Sequence, residues 1–263
     1  MYLADCHTHT RLSPDSEADA LEMAQAARRA GMKELCFTDH VDLLNFRGDP
    51  AGFDGWGPYL KQFHALSVPG LTLRLGVELG EGWENPELAA HIVSQPMLDF
   101  VIGSVHNLDS AHGGTDLCFI DYTSEEGCYH TLKIYMGCLA LQAAQDTFDV
   151  LGHIIYPLRY MNGKAGQHIR LDPFYSQLED ILKTLIAKDK GIEVNTCRGR
   201  TVEDWRPILA LYRDCGGRIV TLGSDAHRPQ DMSKGIVQAA GLLKEFGFHL
   251  AVYEKRQPAF YTL

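Results

Sequence analysis

Short apolar runs recur along this chain, and nearly every one ends in a histidine or a carboxylate. Tyr2-Leu3-Ala4 leads into Asp5-Cys6-His7-Thr8-His9-Thr10, residues 34–37 end in Thr38-Asp39-His40, and residues 71–77 deliver Glu78. Residues 100–105 deliver His106, residues 150–152 deliver His153, and residues 218–222 deliver Gly223-Ser224-Asp225-Ala226-His227. A further run, 191–194, ends in Asn195-Thr196-Cys197-Arg198. Residues two apart in a strand face the same side, so His7 and His9 aim two imidazoles at one point. An isolated His-x-His is more often a pair of turn or surface histidines. Random placement does not put such residues at the end of run after run.

The segments between the runs are helical or loop-like. Helices are predicted over 17–30 (capped by Ser16 and stopped at Gly31), 59–66, 86–94, 124–146, 174–188, 202–215 and 232–246. Residues 45–56 are rich in Gly, Pro and Asp and read as a long loop, the kind that often walls a site. Residues 112–122 read as irregular. Seven strand-like runs alternating with helices or loops imply a parallel sheet with helical crossovers. No linker, repeat or composition break divides the chain, so residues 1–263 are expected to form one closed α/β barrel. Residues 248–263, strand-like at 250–253, are expected to be a tail packed on it. In a β/α barrel the C-terminal strand ends converge on one face, where active sites lie.

Composition bounds the partners. A net charge of -10 argues against coating long nucleic acid, while leaving room for a local cationic pocket that takes a small anion. Seven cysteines, an odd number with no Cys-x-x-Cys pair, suit reduced thiols in the cytoplasm. No signal peptide and no apolar run of membrane-spanning length is read.

The strand-end residues His7, His9, His40, His106, His153 and His227, with Asp15, Glu78 and Asp225, make a set of candidate metal ligands. His64, His91, His112, His130, His168 and His249 read as ordinary loop or helix-face residues. One zinc takes roughly three or four protein ligands, so the set points to two or three ions, with Glu78 the natural bridge. Mixed nitrogen and oxygen donors without thiolate suit divalent zinc, manganese or iron rather than calcium.

Taken in order, His7-Thr8-His9, Asp15, Asp39-His40, Glu78, Ser104-Val105-His106, Gly152-His153 and Ser224-Asp225-Ala226-His227 resemble the PHP (polymerase and histidinol phosphatase) superfamily. The resemblance runs from Asp5 to about Arg228, and Phe37-Thr38-Asp39-His40-Val41-Asp42 resembles its histidinol-phosphatase branch. It implies a distorted seven-stranded (β/α)7 TIM-like barrel with a trinuclear metal centre. By that likeness His7, His9, Glu78 and Asp225 hold the first ion; Glu78, His106 and His153 the second; Asp15, His40 and His227 the third. It further implies a metal-dependent phosphomonoesterase acting on L-histidinol phosphate through a metal-bound hydroxide held by Glu78, Asp225 and His7. The phosphate would be met by Arg159 and Arg198 together with His40 and His227, an arginine fork suiting phosphate geometry. Arg11, Arg200 and Arg228 are weaker candidates.

One position departs from the family's pattern. Histidinol-phosphatase relatives commonly carry an Asp two residues after the equivalent of His153, where this chain has Ile155. If that position faces the substrate, Ile155→Asp is expected to raise the preference for a cationic leaving group. Asp42, Glu81, Glu84 and Asp116 are candidates to meet the amine, and Trp56, Tyr156 and Tyr160 to flank the ring. The alternative substrate is another small phosphorylated metabolite or a nucleotide. A non-catalytic metal-binding barrel is the third reading, and the completeness of the ligand set argues against it. The sequence leaves the oligomeric state open.

Overall fold

Seven parallel staves close around a buried centre in the computed structural model, which describes residues 1–263. The strands are β1 (Ala4–Asp5), β2 (Glu34–Phe37), β3 (His40–Asp42), β4 (Thr72–Gly80), β5 (Phe100–Ser104), β6 (Val150–Leu151), β7 (Gly191–Asn195) and β8 (Val220–Gly223). Their order is β1-β2-β4-β5-β6-β7-β8, with β3 carrying the line of β2 onward along β4. Beyond the short β1, backbone bonds from Cys6 N–H to Leu222 O (2.8 Å), Asp225 N–H to His7 O (2.9 Å) and His9 N–H to Ala226 O (2.9 Å) close the barrel. The fold is therefore the α/β, distorted seven-stranded (β/α)7 barrel expected, and the break between β2 and β3 is part of its distortion.

The helices are α1 (Ala20–Arg29), α2 (Gly57–His64), α3 (Pro86–Val93), α4 (Glu125–Ala143), the short α5 (Leu158–Met161), α6 (Tyr175–Ala187), α7 (Arg206–Asp214) and α8 (Ile236–Glu245). Asp19, not Ser16, caps α1: its carboxylate accepts from Leu21 N–H at 2.9 Å and Glu22 N–H at 3.3 Å. A carboxylate answers the free N–H groups and the positive end of the helix dipole together. Ser16 Oγ instead donates to His227 O at 2.9 Å, tying the loop before α1 to the last strand-end motif. Met23, Ala24, Ala26 and Ala27 form the buried face of α1. Residues 45–56 contain no helix or strand, and Trp56 Nε1 donates back to Ile92 O at 3.0 Å, which turns that indole towards α3.

Residues 250–261 form a hairpin, β9 (Leu250–Glu254) and β10 (Gln257–Tyr261), around Lys255 and Arg256 in the left-handed region. It covers the N-terminal mouth of the barrel, opposite the histidines. Arg256 Nε reaches Asp149 Oδ2 at 2.6 Å, Lys255 N–H reaches Asp99 Oδ1 at 3.0 Å, and Tyr253 stacks on Phe100. No helix is long and apolar enough to cross a membrane.

Candidate metal centre

Barrel register places the candidate ligands side by side. His40 and Glu78 are direct partners across β3 and β4, and Glu78 lies inside β4, which runs two residues past it. His7, His9, Glu78, His106, His153 and Asp225 are all buried; His40 and His227 are partly exposed and Asp15 is exposed. Glu78 stands at the centre. Its Oε2 lies 3.0 Å from His7 Nε2, 3.5 Å from His9 Nε2 and 3.1 Å from His40 Nδ1. Its Oε1 lies 2.7 Å from His153 Nε2 and 3.2 Å from His106 Nε2. Asp225 Oδ1 is 3.4 Å from His9 Nε2 and 3.9 Å from His7 Nε2. At the outer edge, Asp15 Oδ2 is 2.9 Å from His227 Nε2 and 3.8 Å from His40 Nε2.

These side chains fit metal ions better than they fit one another. Buried polar atoms are normally hydrogen-bonded, yet His7 Nε2, His9 Nε2, His40 Nδ1, Glu78 Oε2 and His227 Nε2 have no hydrogen-bond partner. Two imidazole nitrogens, His106 Nε2 and His153 Nε2, lie 3.2 Å apart against the same carboxylate oxygen. Groups of ligand atoms within 4.8 Å form around His7-His9-Glu78, Glu78-His106-His153, His9-His40-His227 and His40-Asp42-His106. His9 thus stands between the first and third of the expected sites, and Asp42 joins a group it was not expected in.

The electrostatics follow from burial and crowding. Burial alone would raise the Glu78 carboxyl, but the charges of His7, His40 and His106 outweigh it and hold it well below the usual carboxylate range. Burial opposes ionisation of Asp225 as well, and Arg159 and His7 reverse that. Burial, then the like charges of His227 and His40, push His9 well down, so it is a neutral imidazole, the form that ligates. His40 is raised to about 9: burial would lower it, and the Glu78 and Asp42 carboxylates win. A proton held there is one that a bound ion displaces.

Several supporting roles escaped the sequence reading. Asp42 Oδ1 lies 3.1 Å from His106 Nδ1 and its Oδ2 3.5 Å from His40 Nδ1, so it braces two imidazoles rather than awaiting an amine. A Cβ at Gly80 would stand 2.1 Å from that carboxylate, so only glycine leaves room for it. Ser104 Oγ donates to Glu78 Oε1 at 2.6 Å, and Ser13 Oγ sits 3.0 Å from His9 Nδ1. Glu193 Oε1 lies 2.6 Å from His7 Nδ1. Its one signal in the sequence was a charge interrupting the apolar run 191–194.

The two arginines differ. Arg159 is nearly buried; Nη1 donates to Asp225 Oδ2 at 2.7 Å, Nη2 to Asn195 Oδ1 at 2.6 Å, and the guanidinium lies over the Tyr156 ring. Arg198 sits at φ +59°, with its backbone N–H on Ser224 O, and its Nε has no partner. Both line a pocket of about 200 Å³ with Asp15, His40, Glu78, His106, His153, Tyr156, Tyr160, Asp225, His227 and Arg228. Arg11 is spent on an exposed ion pair with Asp19 at 2.7 Å, and Arg200 reaches the Cys197 carbonyl and sulfur. Arg228 joins the pocket.

The expectation for Ile155 is corrected by packing. Its side chain is 1% exposed in the apolar core and does not line the pocket, because the turn after β6 points Tyr156 and Arg159 inward instead. Glu81 is also unavailable to an amine: fully buried, it accepts the N–H groups of His106 and Asn107. Glu84 is held by Ser110, Asp116 caps Cys118 N–H, and Trp56 packs on α3. Tyr156 and Tyr160 do line the pocket, their hydroxyls 2.8 Å apart. The six histidines set aside are all exposed.

A β/α barrel that gathers six imidazoles and three carboxylates at one mouth defines a barrel suited to divalent metal ions. The PHP domain family matches residues 5–197, and the chain belongs to that family. It is 26% identical to the histidinol-phosphatase of Lactococcus lactis over 253 residues, 93% of this chain and 91% of that one. It is 26% identical to a probable histidinol-phosphatase of Thermotoga maritima, with 97% of each chain covered. Among solved structures, the Lactococcus lactis histidinol phosphate phosphatase complexed with zinc, L-histidinol and phosphate superposes with a TM-score of 0.79 over 98% of both chains, at 26% identity. A Listeria monocytogenes structure, 18% identical, shares the fold at a TM-score of 0.72 over 89% of this chain and 99% of that one.

Proposed function

We propose that this phosphoric monoester hydrolase uses two or three divalent ions, zinc, manganese or iron, to hydrolyse L-histidinol phosphate to L-histidinol and phosphate. The observation that carries the reading is Glu78, whose Oε2 faces the unpartnered imidazole nitrogens of His7, His9 and His40 while its Oε1 faces the crowded pair His106 and His153. His7, His9, Glu78 and Asp225 would hold one ion, Glu78, His106 and His153 a second, and Asp15, His40 and His227 a third. When bound, such ions supply hydroxide near neutral pH and draw charge from phosphoryl oxygens. Around them the chain's own groups do the rest. Arg198 and Arg228 present positive charge to the phosphate, and the Arg159 guanidinium lies over the Tyr156 ring. The full-length likeness to the zinc-, histidinol- and phosphate-bound Lactococcus structure supports the substrate. The seven unpaired cysteines support a reducing, cytoplasmic setting.

A second reading, a different small phosphorylated metabolite, is favoured by one feature. A cavity of about 680 Å³ adjoins the pocket through Arg159, Tyr160 and Arg198, and Lys164 and Arg200 add positive charge against the single carboxylate of Asp204. That lining suits an anionic leaving group better than an ammonium. Catalytic efficiencies on histidinol phosphate, a nucleoside monophosphate and a sugar phosphate, measured with added metal, decide between them. A tenfold advantage for either of the latter two, about 1.4 kcal/mol of transition-state discrimination, overturns histidinol phosphate as substrate. No phosphate release with any metal or ester overturns both.

A further inference from the structure

β7 supplies none of the nine candidate ligands, yet its two inward-facing polar residues, Glu193 and Asn195, stand directly beneath them. Glu193 is fully buried, and no lysine or arginine pairs with it. A buried carboxylate is costly unless its oxygens are satisfied. Here Oε1 takes His7 Nδ1 at 2.6 Å and Asn195 Nδ2 at 3.1 Å, and Oε2 accepts His153 N–H at 2.9 Å. The far side of the same imidazole, His7 Nε2, lies 3.0 Å from Glu78 Oε2 with no hydrogen-bond partner. His7 is therefore an imidazole strung between two carboxylates, one at the ion centre and one behind it. The space is reserved for this pairing: a Cβ at Gly223 would stand 2.1 Å from Glu193 Oε1 and 2.5 Å from His7 Cβ.

We propose that Glu193 is a positioning residue for metal binding: it accepts the hydrogen bond of His7 Nδ1–H and so leaves Nε2 as the ligand atom. Its other oxygen anchors the backbone of His153, a ligand of the neighbouring ion, so one side chain sets ligands of two sites. The inference rests on the metal-centre reading above. A carboxylate is required, because three donors converge on its two oxygens, whereas a carboxamide has one acceptor oxygen and its NH2 then faces an N–H.

Zinc affinity of the full chain, titrated against a chromophoric chelator without substrate, tests this. Glu193→Gln and Gly223→Ala should each weaken binding roughly tenfold to a hundredfold, the usual cost of removing such a support, with unchanged circular dichroism of the metal-free protein. Nitrogen-proton NMR of the zinc-loaded wild type should show His7 carrying its proton on Nδ1. Unchanged affinity in both variants, or a zinc-loaded His7 protonated on Nε2, overturns the proposal, and the NMR result stands even if a variant fails to fold. A wild type that binds no zinc, manganese or iron overturns the metal-centre reading itself, and this inference with it.

Discussion

Arg159 Nη1 lies 2.7 Å from Asp225 Oδ2, which makes an arginine expected to hold phosphate also the counter-ion of a candidate metal ligand. Arg198, 39 positions further along the chain, has no carboxylate within salt-bridge distance. Loss of a charge-assisted contact commonly costs about 1.5–3 kcal/mol. Arg198→Ala should therefore lower kcat/KM by roughly tenfold to a hundredfold with full metal content. Arg159→Ala should do the same and also reduce bound metal, because Asp225 loses the largest of the positive charges that offset its burial. Steady-state kinetics alongside elemental analysis separates the two. Full activity in both variants would reassign Arg159 to structural ion pairing with Asp225 and remove Arg198 from the site.

Glu78 faces two ligand groups at once, with Oε2 toward His7 and Oε1 toward His153. Glu78→Gln removes the charge while preserving size, so at least two ions should be lost together. Mass-spectrometric metal counting on protein purified from zinc-replete medium checks this. Loss of a single ion in the variant would place the bridge elsewhere.

Ile155 packs in the core, so Ile155→Asp should not sharpen substrate choice. It removes a buried aliphatic side chain and inserts a polar group without a partner, at a cost of about 3 kcal/mol or more. Denaturant melts should show that loss, and the substrate ranking of the remaining folded protein should be unchanged. A stable variant with a tenfold shift toward histidinol phosphate would mean that this turn reorients on binding.

Lys190 Nζ donates to Phe148 O beneath the barrel, far from the candidate ligands. Burial pulls its ammonium from 10.5 to about 8, with Asp149 and Asp146 opposing. Between those values the folded chain holds the lysine neutral while the unfolded chain keeps it charged. The unfolded state then binds more protons, so the residue's contribution to stability is constant below about 8 and rises as pH climbs toward 10.5. The difference in unfolding free energy between wild type and Lys190→Met should move in favour of the wild type across that range. A difference independent of pH would show that Lys190 titrates normally.

The strands and the order of candidate ligands were legible because both are local signals. An apolar run with a charged or imidazole residue at its end states a strand and its exit in a few residues, and parallel alternation brings those exits to one face. Helix positions were legible for the same reason, with α1's cap displaced from Ser16 to Asp19 because both are good caps and only the path of the loop chooses. Ile155 shows the limit: whether a residue beyond a strand end faces the pocket or the core depends on how the turn closes.

By itself, then, the sequence determined the barrel, the mouth at which its polar strand ends gather, and the residue types available there. Tertiary structure alone decided which of them meet: that Glu193 reaches back 186 positions to His7, that Asp42 braces His106 across 64, and that Arg159 is shared with Asp225. The reason is physical. Strand and helix periodicity act over a few residues, whereas the partner of a buried charge is set by barrel closure and register, which join residues the chain keeps far apart.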